Sequence, residues 1–174
     1  GKNHARDLAH ACDDTMFQYF PIFPTEFTRA GVEEFIEKRT SVPGHNSYAV
    51  IQKETNKAIG SSCFFDIHSD HKRLEIGYTW IKKEFQGTNV NPEMKLLMLE
   101  HSFETLGCNR VQLKTDSRNL QSQAAMKKLG ATLEGTFRNH MVMPDGYVRD
   151  SVVFSIISAD WPRVKEGLLT RLRG

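Results

Sequence analysis

Between Gln86 and Asn91 the chain runs Gln-Gly-Thr-Asn-Val-Asn, a short polar turn, and Pro92 and Glu93 follow. Asn91 suits an N-cap, Pro92 a first helical position, and Glu93 the positive end of a helix dipole. Unpaired backbone N–H groups at such a junction favour an anion, so a phosphate-bearing ligand is the first expectation. Asn119 and Ser122 stand three residues apart at the start of a second predicted helix and share one face. They can meet a ligand together or simply cap that helix, and the residues alone leave both readings open. Cys12, Cys63 and Cys108 show no metal-ligand spacing. They are expected as buried or half-buried thiols in a reducing compartment, a catalytic cysteine being the minor reading, and no metal site is expected.

The elements around these residues follow from periodicity. Leu74–Ile81 is rich in aromatic and β-branched residues and predicts a strand leading into the polar turn. Leu96, Leu99, Phe103 and Leu106 place one apolar face on a long helix after it. Ahead of this unit, helices are predicted at 4–12 and 28–38, the second with Val32, Phe35 and Ile36 on its apolar side. Strands are predicted at 47–52 and 58–67, joined by a turn at Glu54–Lys57. After it come a strand at 111–115 and a helix at 120–129. A hairpin of 132–143 and 147–157 turns through Pro144-Asp145-Gly146, and a last amphipathic helix covers 162–172.

The turn beginning at Gln86 resembles the acyl-CoA pyrophosphate loop of the GNAT N-acetyltransferases, Q/R-x-x-G-x-G/A. Gln86 matches the first position, while Asn89 and Asn91 stand where the pattern prefers Gly and Gly or Ala. Asp116-x-x-Asn119-x-x-Ser122 with the later Leu129-Gly130-Ala131 is similar to the branch that contains the ribosomal-protein alanine and serine N-terminal acetyltransferases. Leu133-Glu134-Gly135 and Gly146…Arg149-Asp150 resemble that branch too, so the likeness runs from Ser47 to Ile157. It implies an α+β GNAT fold: one domain over residues 1–174, a mixed, mostly antiparallel twisted sheet, and flanking helices. The strand that normally precedes the first helix of that fold has no counterpart in this sequence. It either lies outside the sequence or is replaced by another segment, and the strand at 47–52 would then be an unprotected edge.

Composition fits this class and excludes others. The chain has 174 residues, 39% hydrophobic and 25% charged, with a net charge of +2, which is ordinary for one globular domain. The charge is too small and too scattered to predict nucleic-acid binding. No apolar run approaches the roughly 20 residues of a membrane helix, and no signal-peptide pattern opens the chain. A cytoplasmic monomer or homodimer is expected, with no nucleic-acid or membrane partner.

The resemblance implies acetyl-CoA as co-substrate and a primary amine as acceptor, the amine attacking the thioester directly in a ternary complex. Positioning and proton transfer then carry catalysis. Pantetheine is implied beside the strand end at Thr79, Trp80 and Ile81, and pyrophosphate at Gln86, Gly87, Thr88, Asn89, Val90 and Asn91. Asn89, if its φ must be positive, tolerates that better than any residue but glycine. By the same resemblance Asn119 contacts the CoA arm and Ser122 serves the leaving thiolate, although an unperturbed serine is a poor acid. The branch's catalytic Glu falls at Met141 here. His140, which titrates near neutrality, and Glu75, acting through water, are the candidate bases.

The acceptor is expected between Phe17–Phe27, the helix after it, and the hairpin tip 143–147, with Tyr19, Phe20, Phe23 and Phe27 lining a groove or merely packing the core. Arg138, Arg149 and Asp150 can orient the acceptor or form surface ion pairs of little weight. A protein or peptide N-terminus, an amino acid and a small amine all fit these features. The alternative reading is a GNAT-fold acyl-CoA sensor or interaction module without turnover.

Overall fold

The structure, a computed structural model, describes residues 2–174. The helices are α1 (Ala5–Ala11), α2 (Arg29–Thr40), α3 (Val90–Glu100), α4 (Leu120–Leu129) and α5 (Trp161–Arg173). The strands are β1 (Asn46–Gln52), β2 (Lys57–His68), β3 (Arg73–Ile81), β4 (Arg110–Asp116), β5 (Thr132–Val142) and β6 (Val148–Ile157). They form one mixed sheet in the order β1-β2-β3-β4-β6-β5. Every neighbouring pair is antiparallel except β3–β4, which is joined through α3 as a parallel crossover.

The sheet is covered on both faces. Leu74, Ile76, Leu99, Val111, Leu113, Phe154 and Ile156 pack with Trp161, Val164 and Leu168 of α5. Leu8, Phe17, Val32, Ala58 and Trp80 form the cluster under α1 and α2. Adjacent on β3, Trp80 and Ile81 enter different clusters, as strand alternation requires. Cys12, Cys63 and Cys108 are free and buried. Burial pushes the Cys12 thiol up to about 11 and raises that of Cys108, so neither is set up as a thiolate. Ahead of α1 lies a single helical turn, Lys2–His4, and β1 forms one edge of the sheet. No helix among the described residues is long and apolar enough to cross a membrane.

Two expectations about α3 are corrected. The helix begins at Val90, with Asn89 at the cap position, so Asn91 is its second residue and Pro92 its third. It also ends at Glu100 instead of running to Leu106. The buried Ser102 hydroxyl donates to Met98 O at 2.8 Å, and Leu106 N–H reaches back five residues to His101 O at 3.0 Å. That widened turn rotates the apolar stripe. Leu99 and Phe103 still pack inward, but Leu106 is 51% exposed.

Candidate active site

β3 and β4 hold register only at Arg73/Arg110, Leu74/Val111 and Glu75/Gln112, then part. The bend has a visible cause. Cys63 of β2 faces Gly77 while Ser61 faces Trp80, so β3 carries an extra residue, and Tyr78 there has φ 49°. A bulge of this kind bends and twists its strand. Gly77 allows the ring of Phe65 to close over the bulge, because a Cβ at Gly77 would stand 2.8 Å from Phe65 Cε1. The parted strands open a cleft of about 890 Å³ beneath the N-terminus of α3.

Most of the residues singled out in the sequence meet in this cleft. Glu75, Thr79, Trp80, Ile81, Gln86, Gly87, Thr88, Asn91, Asn119 and Ser122 all line it, as does Met141; Asn89, Val90 and His140 do not. The turn is pinned by Gln86, whose Nε2 donates to Ile81 O at 3.0 Å, and by Thr88, whose hydroxyl donates to Phe85 O at 2.7 Å. Asn89 has φ −74°, and the left-handed position belongs to Gly87 at φ 78°. The conformational argument for Asn89 therefore falls away. Asn119 caps α4, its Oδ1 accepting the Ser122 N–H at 2.9 Å.

Charge in the cleft is one-sided. Lys83, Lys95, Lys114, Arg118, Lys128, Arg149 and Arg171 line it, against the single carboxylate of Glu75. Such a lining suits a polyanion. Glu75 is 2% exposed and accepts from Gln112 Nε2 at 2.8 Å and Lys114 Nζ at 3.2 Å. Its pairing partner is therefore this lysine. His140 Nδ1 lies 2.9 Å from Ser151 Oγ, and burial, then the nearby Lys114 and Arg149, lower its pKa and keep the ring neutral at pH 7. A bulge at Asn139, φ 47°, turns this part of β5, and Asn139 N–H donates to Asp150 Oδ1 at 2.7 Å.

At the end of the cleft near the hairpin, Arg149 is buried and its Nη1 donates to Tyr19 O at 3.3 Å, while its Nε has no partner. Asp116 is fully buried and binds Arg118 through the N–H at 2.8 Å and Nη2 at 2.9 Å. Arg118 then stacks 3.5 Å from the Tyr147 ring centre, tying the hairpin tip to the start of α4. Tyr19 and Phe20 line the main cleft, and Phe20, Phe23 and Phe27 line a smaller cavity of about 270 Å³ with Phe17, Asp14 and Asp145. Arg138 is exposed.

Sequence reasoning passed over Lys95. It stands three residues after Pro92 and four before Leu99, on the inward stripe of α3, and that position was its only sequence signal. Its ammonium donates to Thr79 Oγ1 at 3.2 Å, and burial pushes its pKa down to about 7. Among the described residues no cluster of three or more His, Cys, Asp or Glu is arranged to hold a metal.

A parallel strand pair that parts above a basic cleft, under a helix N-terminus, is the architecture that comparison with known proteins identifies. The model of the acetyltransferase (GNAT) domain matches residues 2–132, so the chain belongs to the GNAT acetyltransferase family. The N-acetyltransferase p20 of Bacillus licheniformis, itself uncharacterized, is 27% identical over 116 residues, 67% of this chain and 64% of p20. The match thus spans just under two thirds of that relative's length. A T. thermophilus protein whose crystal structure carries a provisional acetyltransferase assignment superposes at TM-score 0.91 with 34% identity, over 99% of this chain and 90% of that one. A GCN5-related N-acetyltransferase from Brucella melitensis gives TM-score 0.89 and 26% identity, over 97% of this chain and 77% of that one.

Proposed function

We propose that this chain is an N-acetyltransferase that takes its acetyl group from acetyl-CoA and delivers it to a primary amine by direct attack in a ternary complex. The observation that carries the reading is the β3–β4 opening, where unpaired strand backbone meets a basic cleft under the α3 N-terminus. The fit to a CoA thioester follows from those parts. The turn 86–91 and the first N–H groups of α3 face the pyrophosphate, and Lys83, Lys128 and Arg171 supply positive charge around it. Beyond Glu75, β3 offers pantetheine the backbone groups that β4 no longer engages. The thioester, once bound, supplies an activated acyl carbonyl.

The chain's own residues then orient and move protons. Asn119 keeps its Nδ2 for the CoA arm while Oδ1 caps α4. Ser122 lines the same wall and positions the thioester. His140, neutral at pH 7, accepts the acceptor's proton through water, with Glu75 as the second carrier in the same charged group. Met141 occupies the lining position where the related branch carries its Glu, so proton removal is relayed here instead of direct.

Calorimetric titration with acetyl-CoA, with CoA and ADP as comparisons, tests this reading. Micromolar binding followed by thiol release in an amine panel is the expected result. Binding without turnover across peptides, amino acids and small amines would instead identify a sensor, and absence of binding up to millimolar would remove the enzyme assignment.

A further inference from the structure

Lys95 projects into the floor of the cleft, 8% exposed, and its Nζ donates to Thr79 Oγ1 at 3.2 Å. Thr79 Oγ1 lies 2.8 Å from Ser62 Oγ, so a polar chain crosses beneath β3 next to the Tyr78 bulge. No carboxylate among the described residues pairs with this amine. On α3, Glu93 turns to Lys53 and Glu100 to Lys165. On β3, Glu75 is held by Gln112 and Lys114. The other charged groups lining the cleft are cations: Lys83 after β3, Lys114 of β4, Arg118 before α4, Lys128 of α4, Arg149 of β6 and Arg171 of α5.

A cation without a counter-charge in a dry site gives up its proton readily. Burial pushes Lys95 down to about 7, so both its forms exist near neutral pH. A group of that kind is matched to proton donation at working pH. It also neighbours the stretch of β3 where the strand edge is free, where the acetyltransferase reading puts pantetheine.

We propose that Lys95 is the acid that protonates the CoA sulfur as it departs. The assignment rests on the acetyltransferase reading above. As the acceptor nitrogen bonds to the acyl carbon, the C–S bond breaks and its electron pair stays on sulfur. Lys95 gives that sulfur a proton and becomes neutral, and solvent restores the proton after product leaves. The acceptor ammonium loses its own proton separately, toward His140 and water. An ordinary thiol has a pKa of about 8.5, so transfer from Lys95 runs downhill, whereas the hydroxyl of Ser122 is a far weaker acid.

The test uses the whole protein with Lys95→Met and Lys95→Arg. Melting curves first establish that both fold; methionine replaces the buried amine with an apolar chain of similar length. Both variants should bind acetyl-CoA yet lose about 100-fold in kcat, the lower end of what a general acid contributes. Arginine holds its proton too tightly to substitute. The alkaline limb of the wild-type pH–rate profile should vanish in Lys95→Met. An alkaline limb that survives in Lys95→Met, or a kcat left unchanged by it, would overturn the assignment of Lys95 alone. Failure of wild type to bind CoA would overturn both it and the acetyltransferase reading.

Discussion

The guanidinium carbon of Arg39 lies 3.5 Å from the centre of the Tyr78 ring. Arg39 comes from α2 and is 4% exposed, and Tyr78 is the bulge residue that parts β3 from β4. Phe65 and His45 close on the same ring, at 4.9 and 6.2 Å between centroids. A tyrosine at φ 49° is strained by roughly 1–2 kcal/mol. The stack from α2 is what holds it there, so the N-terminal helices support the cleft without lining it.

Replacing Arg39 with methionine should therefore lower stability by about 2 kcal/mol, the value of a desolvated cation–π contact. It should also weaken acetyl-CoA binding, because the bulge is free to relax. Lysine should not restore either property, since the planar guanidinium stacks and an ammonium does not. Urea unfolding midpoints and calorimetric titration of the two variants check this. A full rescue by lysine would show that charge alone matters.

Asp116 should set an acid limit on the fold. Burial alone would raise its carboxyl, but the side-chain and backbone bonds from Arg118 outweigh that and hold it below the ordinary carboxylate range. With a depressed pKa in the folded state, its contribution is whole above about pH 4 and is lost as pH falls through the lower folded value. Asp116→Ala should cost about 2 kcal/mol at pH 7, modest for so buried a group because Arg118 is partly solvated. The difference from wild type should shrink as pH drops below about 4, as followed by chemical denaturation.

His140 gives the opposite region of the pH scale. Its folded pKa is lowered, by burial first and then by Lys114 and Arg149. The unfolded chain therefore binds the proton more readily, and stability falls as pH drops below about 6.5. His140→Gln should flatten that decline while leaving stability at pH 8 nearly unchanged. Activity should separate from stability: if His140 carries the acceptor's proton, the variant loses turnover at every pH, whereas a purely structural histidine would leave kcat intact. Denaturation at pH 5.5 and 8 beside a pH–rate profile distinguishes the two.

How much of this was legible in the sequence depends on what kind of contact is at issue. β3, α4 and the closing hairpin announced themselves through period and turn residues, because local backbone preference and one buried face fix them. The end of α3 did not, because Ser102 bonding back to Met98 is a choice made inside the turn, and Leu106 carries no mark of it. The polar turn at 86–91 was found, but its left-handed residue is Gly87 and not Asn89, since the helix starts earlier than Pro92 suggested. Lys95 was hidden by its type: a lysine on a helix is normally solvated, and only its register with Leu99 tells otherwise. The Arg39–Tyr78 stack joins residues far apart in the chain, and no local pattern encodes it.

Gly87 offers a test of the turn itself. Its φ is 78°, and a Cβ there would meet nothing within 4 Å. Gly87→Ala should therefore cost only the backbone strain, about 1 kcal/mol, with no steric clash. Acetyl-CoA affinity should fall by more than that stability change implies, since on the proposed acetyl-CoA reading the new methyl group stands where backbone approaches phosphate. Comparing the affinity of CoA with that of pantetheine, which carries no phosphate, localises the loss: the variant should discriminate against CoA alone.

Asn119 and Ser122 separate capping from chemistry. The Asn119 Oδ1 bond to Ser122 N–H is a structural contact, so Asn119→Ala should lose about 1 kcal/mol, the usual value of an N-cap. Asn119→Asp should keep the cap, because a carboxylate accepts the same N–H. It should nevertheless weaken acetyl-CoA binding, because it lacks the Nδ2 donor and adds negative charge to a basic cleft. Ser122 engages the cap through its backbone, so Ser122→Ala should leave unfolding unchanged. Its effect should appear in kcat/KM alone, and more weakly than that of Lys95→Met, since in the proposed reaction it positions the thioester and donates no proton. A Ser122→Ala enzyme as impaired as Lys95→Met, and with its alkaline limb lost, would return the acid's role to the serine.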